Sequence, residues 1–253
     1  MEKIWLKEYP PGVPADIDLN EFASLKDILE KSCQRFADLP AYSNMGVTLR
    51  YRDIDRLSRD FGAWLQGLEL GKGERVAIMM PNTLQYPVAL FGTLRAGLTV
   101  VNVNPLYTAR ELEHQLKDSG ASAIVIIENF AHTLQEVLDR TQIKTVVTTQ
   151  LGDLFPFPKR PLVNFVVKQV KKMVPSWRIP GAIPFQRTLT EGAKRTLTDV
   201  PLTHDDLAFL QYTGGTTGVS KGAMLTHGNM VANLQQASAW LKPFSKPAEE
   251  TII

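Results

Sequence analysis

Cysteine is nearly absent from this sequence: Cys33 is the only one in 253 residues. A lone thiol excludes an internal disulfide framework and any zinc site built on cysteine pairs, and it fits a reducing, cytoplasmic setting. Excess charge is scarce too. The net charge of +2, from 28 basic and 26 acidic side chains, argues against a nucleic-acid partner. Long apolar runs are missing. The most hydrophobic stretch, Pro87 to Val103, is interrupted by Arg95, weakened by Gly92 and Gly97, and short for a membrane span. The opening MEKIWLKEYP has scattered charges and no signal-peptide core.

What is present is an ordinary globular composition, with 44% apolar and 21% charged residues, enough for one large domain or two modest ones. Ala41–Ser43 and Val47–Tyr51 flank Asn44-Met45-Gly46, which suits a hairpin. From Asp53 to Leu68, Ile54, Leu57, Phe61, Trp64, Leu65 and Leu68 recur at helical spacing. Strands are expected at 75–80, 98–103, 122–127 and 145–149, with helices at 84–96, 108–117 and 131–141 between them. Thr108 and Glu111 form a capping box, and Gly120 is a natural helix stop. Short, continuously apolar strands alternating with helices predict an α/β fold with a doubly wound, mostly parallel sheet covered on both faces. The expected organisation is an N-terminal segment at 1–48 packing on the core and a first α/β subdomain at 49–200. A second subdomain, incomplete here, starts at 201–253. The terminal residues EETII read as the opening of a strand, which suggests a chain cut short.

Residues 154–190 stand apart, with seven Lys or Arg, six prolines and no carboxylate. Within them, 162–174 (LVNFVVKQVKKMV) has helical spacing. Leu162, Val163, Phe165, Val166, Val167, Val170, Met173 and Val174 are expected on one side, and Lys168, Lys171 and Lys172 on the other. Such a helix can lie in a membrane interface through Phe165 and the three lysines, or pack on the domain with a solvated basic face.

The most specific chemical signal is Tyr212 to Ala223, YTGGTTGVSKGA, after a strand expected at 207–211 and before the apolar triplet Ala223–Leu225. Gly214, Gly215 and Gly218 let the backbone approach a ligand closely, and successive N–H groups can converge on anionic oxygens. Thr213, Thr216, Thr217 and Ser220 add hydroxyl donors, and Lys221 adds a mobile positive charge. The complete stretch, with Val219, Gly222 and Ala223, suits the β- and γ-phosphates of a nucleotide. It is not a Walker A loop, because Ser220 precedes Lys221 and Gly222 follows it. No Gly-x-Gly-x-x-Gly occurs, which argues against a dinucleotide fingerprint or a kinase loop. Thr226 is expected to cap a helix from about 229 to 241, with His227 a structural residue at its start.

The string Thr213-Gly214-Gly215-Thr216-Thr217-Gly218, followed by Lys221-Gly222 and Leu225-Thr226-His227, resembles the phosphate-loop signature of the adenylate-forming superfamily. Met80-Pro81-Asn82, Gln85 to Gly92, Arg95-Ala96-Gly97 and Val101 to Thr108 are similar to bacterial long-chain fatty acyl-CoA ligases. So are Trp5-Leu6, Tyr9-Pro10, Val13-Pro14 and Val163 to Lys168. This resemblance covers essentially the whole chain. It implies a two-step reaction using ATP, Mg2+ and coenzyme A: a long-chain fatty acid is adenylated with release of pyrophosphate, and coenzyme A then displaces AMP. It also implies that the magnesium-holding Glu motif, the ribose-binding Asp, the hinge and the catalytic Lys lie beyond Ile253, so that this chain alone makes no acyl-CoA. No catalytic or metal-ligating residue is therefore assigned within it. The alternatives are an adenylating enzyme for another carboxylic acid and a non-catalytic module that binds a membrane or partner.

Overall fold

The computed structural model describes residues 3–213 and 220–244. Gly214 to Val219, the middle of the glycine-rich stretch, and the terminal EETII fall outside the described residues.

Helix α1 (Leu25–Arg35) starts at Ser24, whose hydroxyl accepts from the Asp27 N–H. Strands β1 (Pro40–Asn44) and β2 (Val47–Arg50) form a separate antiparallel hairpin. Met45 and Gly46 both take positive φ between them, the backbone of a tight two-residue turn whose twist suits paired strands. The long amphipathic helix is α2 (Tyr51–Gln66).

Among the described residues the main sheet has seven strands. Its members are β3 (Arg75–Met79), β4 (Thr99–Asn102), β5 (Ala123–Ile127), β6 (Thr145–Thr149), β7 (Ile183–Pro184), β8 (Leu207–Thr213) and β9 (Lys221–Thr226). Their spatial order is β7-β6-β5-β3-β4-β8-β9, and every neighbouring pair is parallel except β8 with β9. The doubly wound, mostly parallel sheet expected from the sequence is present. Residues 207–226 extend this one sheet.

Helices cover both faces, and the strands β3 to β6 bury both of their sides. Along β3, Val76 and Ile78 enter a core with α1, α2, α3 (Gln85–Arg95) and α7 (Phe185–Gly192). Ala77 and Met79 enter the opposite core with α4 (Ala109–Ser119) and α5 (Ala131–Val137). This two-residue alternation is the pleat of a strand expressed as two layers. Helices α2 and α3 cross very closely: a Cβ on Gly92 would lie 2.9 Å from the Ser58 carbonyl oxygen and 2.7 Å from Phe61 Cδ1. Arg95, which interrupts the apolar run, is buried and spent internally. Its guanidinium donates to Asp55 at 2.8 Å and lies 3.3 Å from Glu30, tying α3 to α2 and α1.

Helix α4 has the expected ends. The Thr108 and Glu111 capping box is formed, and Gly120 closes the helix in the left-handed conformation. The basic segment departs from expectation. Helix α6 (Lys159–Phe165) passes into a π-helical turn at Val166–Val170 and stops there, with Lys172 at positive φ. Its apolar residues also divide. Val163, Val166 and Val167 turn inward, whereas Leu162, Phe165, Val170 and Met173 are exposed, so the single apolar face expected there does not form. Helix α8 (His227–Leu241) follows β9, capped by the Thr226 hydroxyl.

Candidate functional site

Chain order and space diverge at β3. The chain leaves β3 for β4 on one side and then returns across it to β5 on the other, so the strand ends splay into a crevice. Doubly wound sheets bind ligands at this switch point, beyond the carboxyl ends of the strands. An open cleft of about 360 Å³ lies on the β4 side of β3, at the carboxyl ends of β3, β4 and β8, lined by Ile78, Tyr86, Asn102, Tyr107, Gln211 and Tyr212 among others.

A chain of hydrogen bonds sets its floor. Tyr86 Oη donates to Asn102 Oδ1 at 2.9 Å, and Asn102 Nδ2 donates to Gln211 Oε1 at 3.0 Å. Gln115 Nε2 donates to the Asn102 carbonyl at 2.8 Å, joining α4 to the end of β4. Burial pushes the Tyr86 phenol above its ordinary pKa, partly offset by its bond to Asn102, so it stays a donor at neutral pH. Asn102 and Gln211 thus sit at adjacent strand ends with their amides fixed in orientation, a polar patch within an otherwise apolar sheet.

The glycine-rich stretch emerges at the rim of this cleft. β8 and β9 form an antiparallel hairpin in which Thr213 pairs with Lys221 and Tyr212 with Gly222. Thr213 and Lys221, which flank residues 214–220 in sequence, are therefore paired at the carboxyl end of β8. Thr213, Lys221 and Ala223 are exposed, Ser220 and Gly222 are half-buried, and Tyr212 is buried. Gly214, Gly215, Thr216, Thr217, Gly218 and Val219 lie outside the described residues.

Tyr212 is the most constrained of the group. Its phenol donates to Asp118 on α4 at 2.5 Å. Burial first, and then the Asp118 carboxylate, hold the phenol well above its ordinary pKa. Its ring lies under Gly222, where a Cβ would come within 2.9 Å of Tyr212 Cε2. Glycine at 222 is thus required by the ring beneath it. On the other limb, His114 Nε2 lies 3.1 Å from the Ser220 carbonyl oxygen.

The sequence profile of the AMP-binding enzyme family matches residues 29–252. The chain belongs to the AMP-binding enzyme family. A long-chain-fatty-acid–CoA ligase of Escherichia coli O157:H7 is 56% identical over 254 residues, which cover all of this chain and 45% of that protein. One from Bacillus subtilis is 36% identical over 252 residues, 99% of this chain and 45% of the relative. The chain therefore spans about half the length of the curated relatives it matches. Among solved structures, a long-chain-fatty-acid-CoA ligase from Archaeoglobus fulgidus superposes with a TM-score of 0.70 at 23% identity, covering 94% of this chain and 43% of that one. The anthranilate CoA ligase AuaEII, in complex with anthranoyl-AMP, gives 0.67 at 19% identity over 85% and 36% of the two chains. At those identities the likeness speaks for the fold alone.

The candidate residues of the basic segment lie away from the cleft. Phe165 is 57% exposed. Lys168 reaches Glu128 at 3.3 Å, while Lys171 and Lys172 are exposed. Among the described residues, no helix is long and apolar enough to cross a membrane.

Sequence reasoning did not single out Asn102, Gln211, His114 or Asp118 as site residues. A polar side chain ending an apolar strand was the available signal for the first two. The last two carried none, because their partners lie 106 and 94 residues away.

Proposed function

We propose that this chain supplies the nucleotide-phosphate-binding part of an AMP-forming long-chain-fatty-acid–CoA ligase. The observation that carries the reading is the position of the Tyr212–Ala223 stretch. Its described ends, Thr213 and Lys221, pair beside the cleft at the carboxyl ends of β3, β4 and β8, and both residues are exposed. Similarity along essentially all of this chain to ligases named for long-chain fatty acids, covering 45% of each of them, supports the substrate class.

In this reading the loop between Thr213 and Lys221 holds the β- and γ-phosphates of ATP through backbone N–H groups, hydroxyls and Lys221. The fatty carboxylate attacks the α-phosphorus, an acyl-adenylate forms, and pyrophosphate leaves with its charge stabilised by those donors. Coenzyme A thiolate then attacks the acyl carbon and AMP departs. The described residues contain no group of three or more His, Cys, Asp or Glu side chains that could hold a metal ion. Magnesium enters this reading only with ATP, and no step is derived through it. Because the chain spans 45% of the relatives' length, the remaining catalytic groups are assigned to sequence outside it, and the 253 residues alone are expected to make no acyl-CoA.

The test is fatty-acid-dependent exchange of pyrophosphate into ATP, in the product of the full reading frame containing this sequence. Lys221→Ala should lower exchange by more than about tenfold at subsaturating ATP, with Lys221→Arg recovering part of it. Unchanged exchange in Lys221→Ala would remove the phosphate role from this loop.

A second reading concerns location: a cytoplasmic enzyme that rests on the membrane through residues 157–174. Its support is the pairing of exposed Phe157, Leu162, Phe165, Val170 and Met173 with exposed Lys171 and Lys172 in one segment. A fatty-acid ligase gains by standing where its substrate partitions.

A further inference from the structure

Two hydrogen bonds join a single face of α4 to the two limbs of the β8–β9 hairpin. Asp118 Oδ2 accepts from Tyr212 Oη at 2.5 Å on the incoming limb. His114 Nε2 lies 3.1 Å from the Ser220 carbonyl oxygen on the outgoing limb. A carbonyl only accepts, so His114 carries its proton on Nε2 in this contact. His114 and Asp118 are four residues apart and therefore neighbours on the helix surface. Helix α4 is itself fixed. Its first turn is closed by the Thr108–Glu111 box, and its Leu112 and Leu116 are fully buried in the core.

We infer that His114 and Asp118 are positioning residues for the phosphate loop, gripping both of its ends from one rigid helix. This inference rests on the assignment of residues 212–223 to ATP phosphates. The chemical reason lies in what each bond prevents. The Ser220 carbonyl carries partial negative charge, and tethering it to His114 turns that oxygen toward α4, away from an incoming polyphosphate. The bond from Tyr212 to Asp118 holds the phenol ring under Gly222, and the ring in turn spaces the two strands where the loop begins. The two limbs at Tyr212 and Ser220 are thereby held in place before the triphosphate binds, so their ordering is not left to the binding step. Neither side chain touches the reacting atoms in this assignment. His114 acts through the Ser220 backbone and Asp118 through the Tyr212 ring.

The experiment compares steady-state kinetics of the full reading-frame product carrying Asp118→Ala, Tyr212→Phe or His114→Ala. Asp118→Asn keeps an acceptor for the phenol, and His114→Gln keeps a donor for the carbonyl. Each bond-breaking variant should raise KM for ATP about tenfold, the size of one hydrogen bond, with KM for the fatty acid and for coenzyme A unchanged. The Asn and Gln variants should recover most of the ATP affinity, which a purely structural role would not require. Tyr212→Phe retains the ring under Gly222, so it reads the bond alone even if Asp118→Ala folds poorly. The double variant Asp118→Ala with Tyr212→Phe should be no worse than either single one, because both remove the same bond. An unchanged KM for ATP in Tyr212→Phe and His114→Ala, alongside a raised one in Lys221→Ala, would overturn the positioning role and leave the phosphate loop standing. An unchanged value in Lys221→Ala as well would instead remove the phosphate assignment on which the inference rests.

Discussion

The backbone N–H of Leu25 donates to Nδ1 of His227 at 3.2 Å, joining the first turn of α1 to the first turn of α8 across 202 residues of sequence. His227 is 1% exposed and follows β9, the outgoing strand of the candidate phosphate hairpin. The N-terminal segment is therefore bonded to the element that leaves the site, and His204 Nε2 beside it contacts the Phe22 carbonyl at 2.8 Å.

That bond predicts a pH dependence. Burial pushes His227 down to about 4 from an ordinary value of 6.5. Between those values the unfolded chain takes up a proton that the folded chain refuses, so stability is complete above 6.5 and is lost as pH falls toward 4. The loss from this group can reach roughly 3 kcal/mol. His227→Asn keeps an acceptor for Leu25 but cannot protonate. Urea midpoints at pH 7.5 and 4.5 should fall less in the variant than in the parent. Equal falls would mean that His227 is already charged in the fold.

The crossing of α2 and α3 gives a second prediction. Gly92→Ala would place a methyl group 2.9 Å from the Ser58 carbonyl, a backbone atom that cannot swing aside, and should destabilise by about 1–3 kcal/mol. Gly71 has open space around it, so Gly71→Ala should change stability by under about 0.5 kcal/mol. Thermal unfolding of the two variants against the parent checks both. Similar midpoints would show that the helices cross less closely than described.

Membrane contact is tested with anionic phosphatidylglycerol vesicles. The chain should co-sediment with them at low salt and less at high salt. Phe165→Ser should weaken binding through the lost apolar contact, and Lys171→Glu with Lys172→Asn through the lost charge. Asparagine suits position 172 because Lys172 sits at positive φ there. Lys168 is left in place because it pairs with Glu128. Binding that ignores both sets of changes would assign membrane contact elsewhere.

The parts of this fold that were legible in the sequence are those encoded locally. Thr108, Glu111 and Gly120 spell both ends of α4, and RVAIM and AIVII are strands because a strand buried on both sides is apolar throughout. Helix α1 went unread although Ser24, Asp27, Leu25, Leu29 and Cys33 carry a cap and a helical spacing. The helix expected at 162–174 was read too long. A run of valines fits a helix wheel as readily as any apolar set, and nothing local shows that Lys172 turns left-handed. The glycine-rich stretch was conspicuous by its residue types, and its phosphate-binding role is the proposal made above. Its bracing by His114 and Asp118 was not visible, because hydrogen bonds between α4 and the distant hairpin exist only once the sheet has brought them together.

The measurement that bears most directly on the central claim is AMP release with ATP and coenzyme A across carboxylic acids of increasing chain length. It is made on the product of the full reading frame and on the 253-residue chain side by side. The account predicts release that peaks with long-chain fatty acids in the longer product and none from the shorter chain. Preference for an aryl or amino acid would contradict the assigned substrate class, and turnover by the 253 residues alone would contradict the assignment of the remaining catalytic groups to sequence outside them.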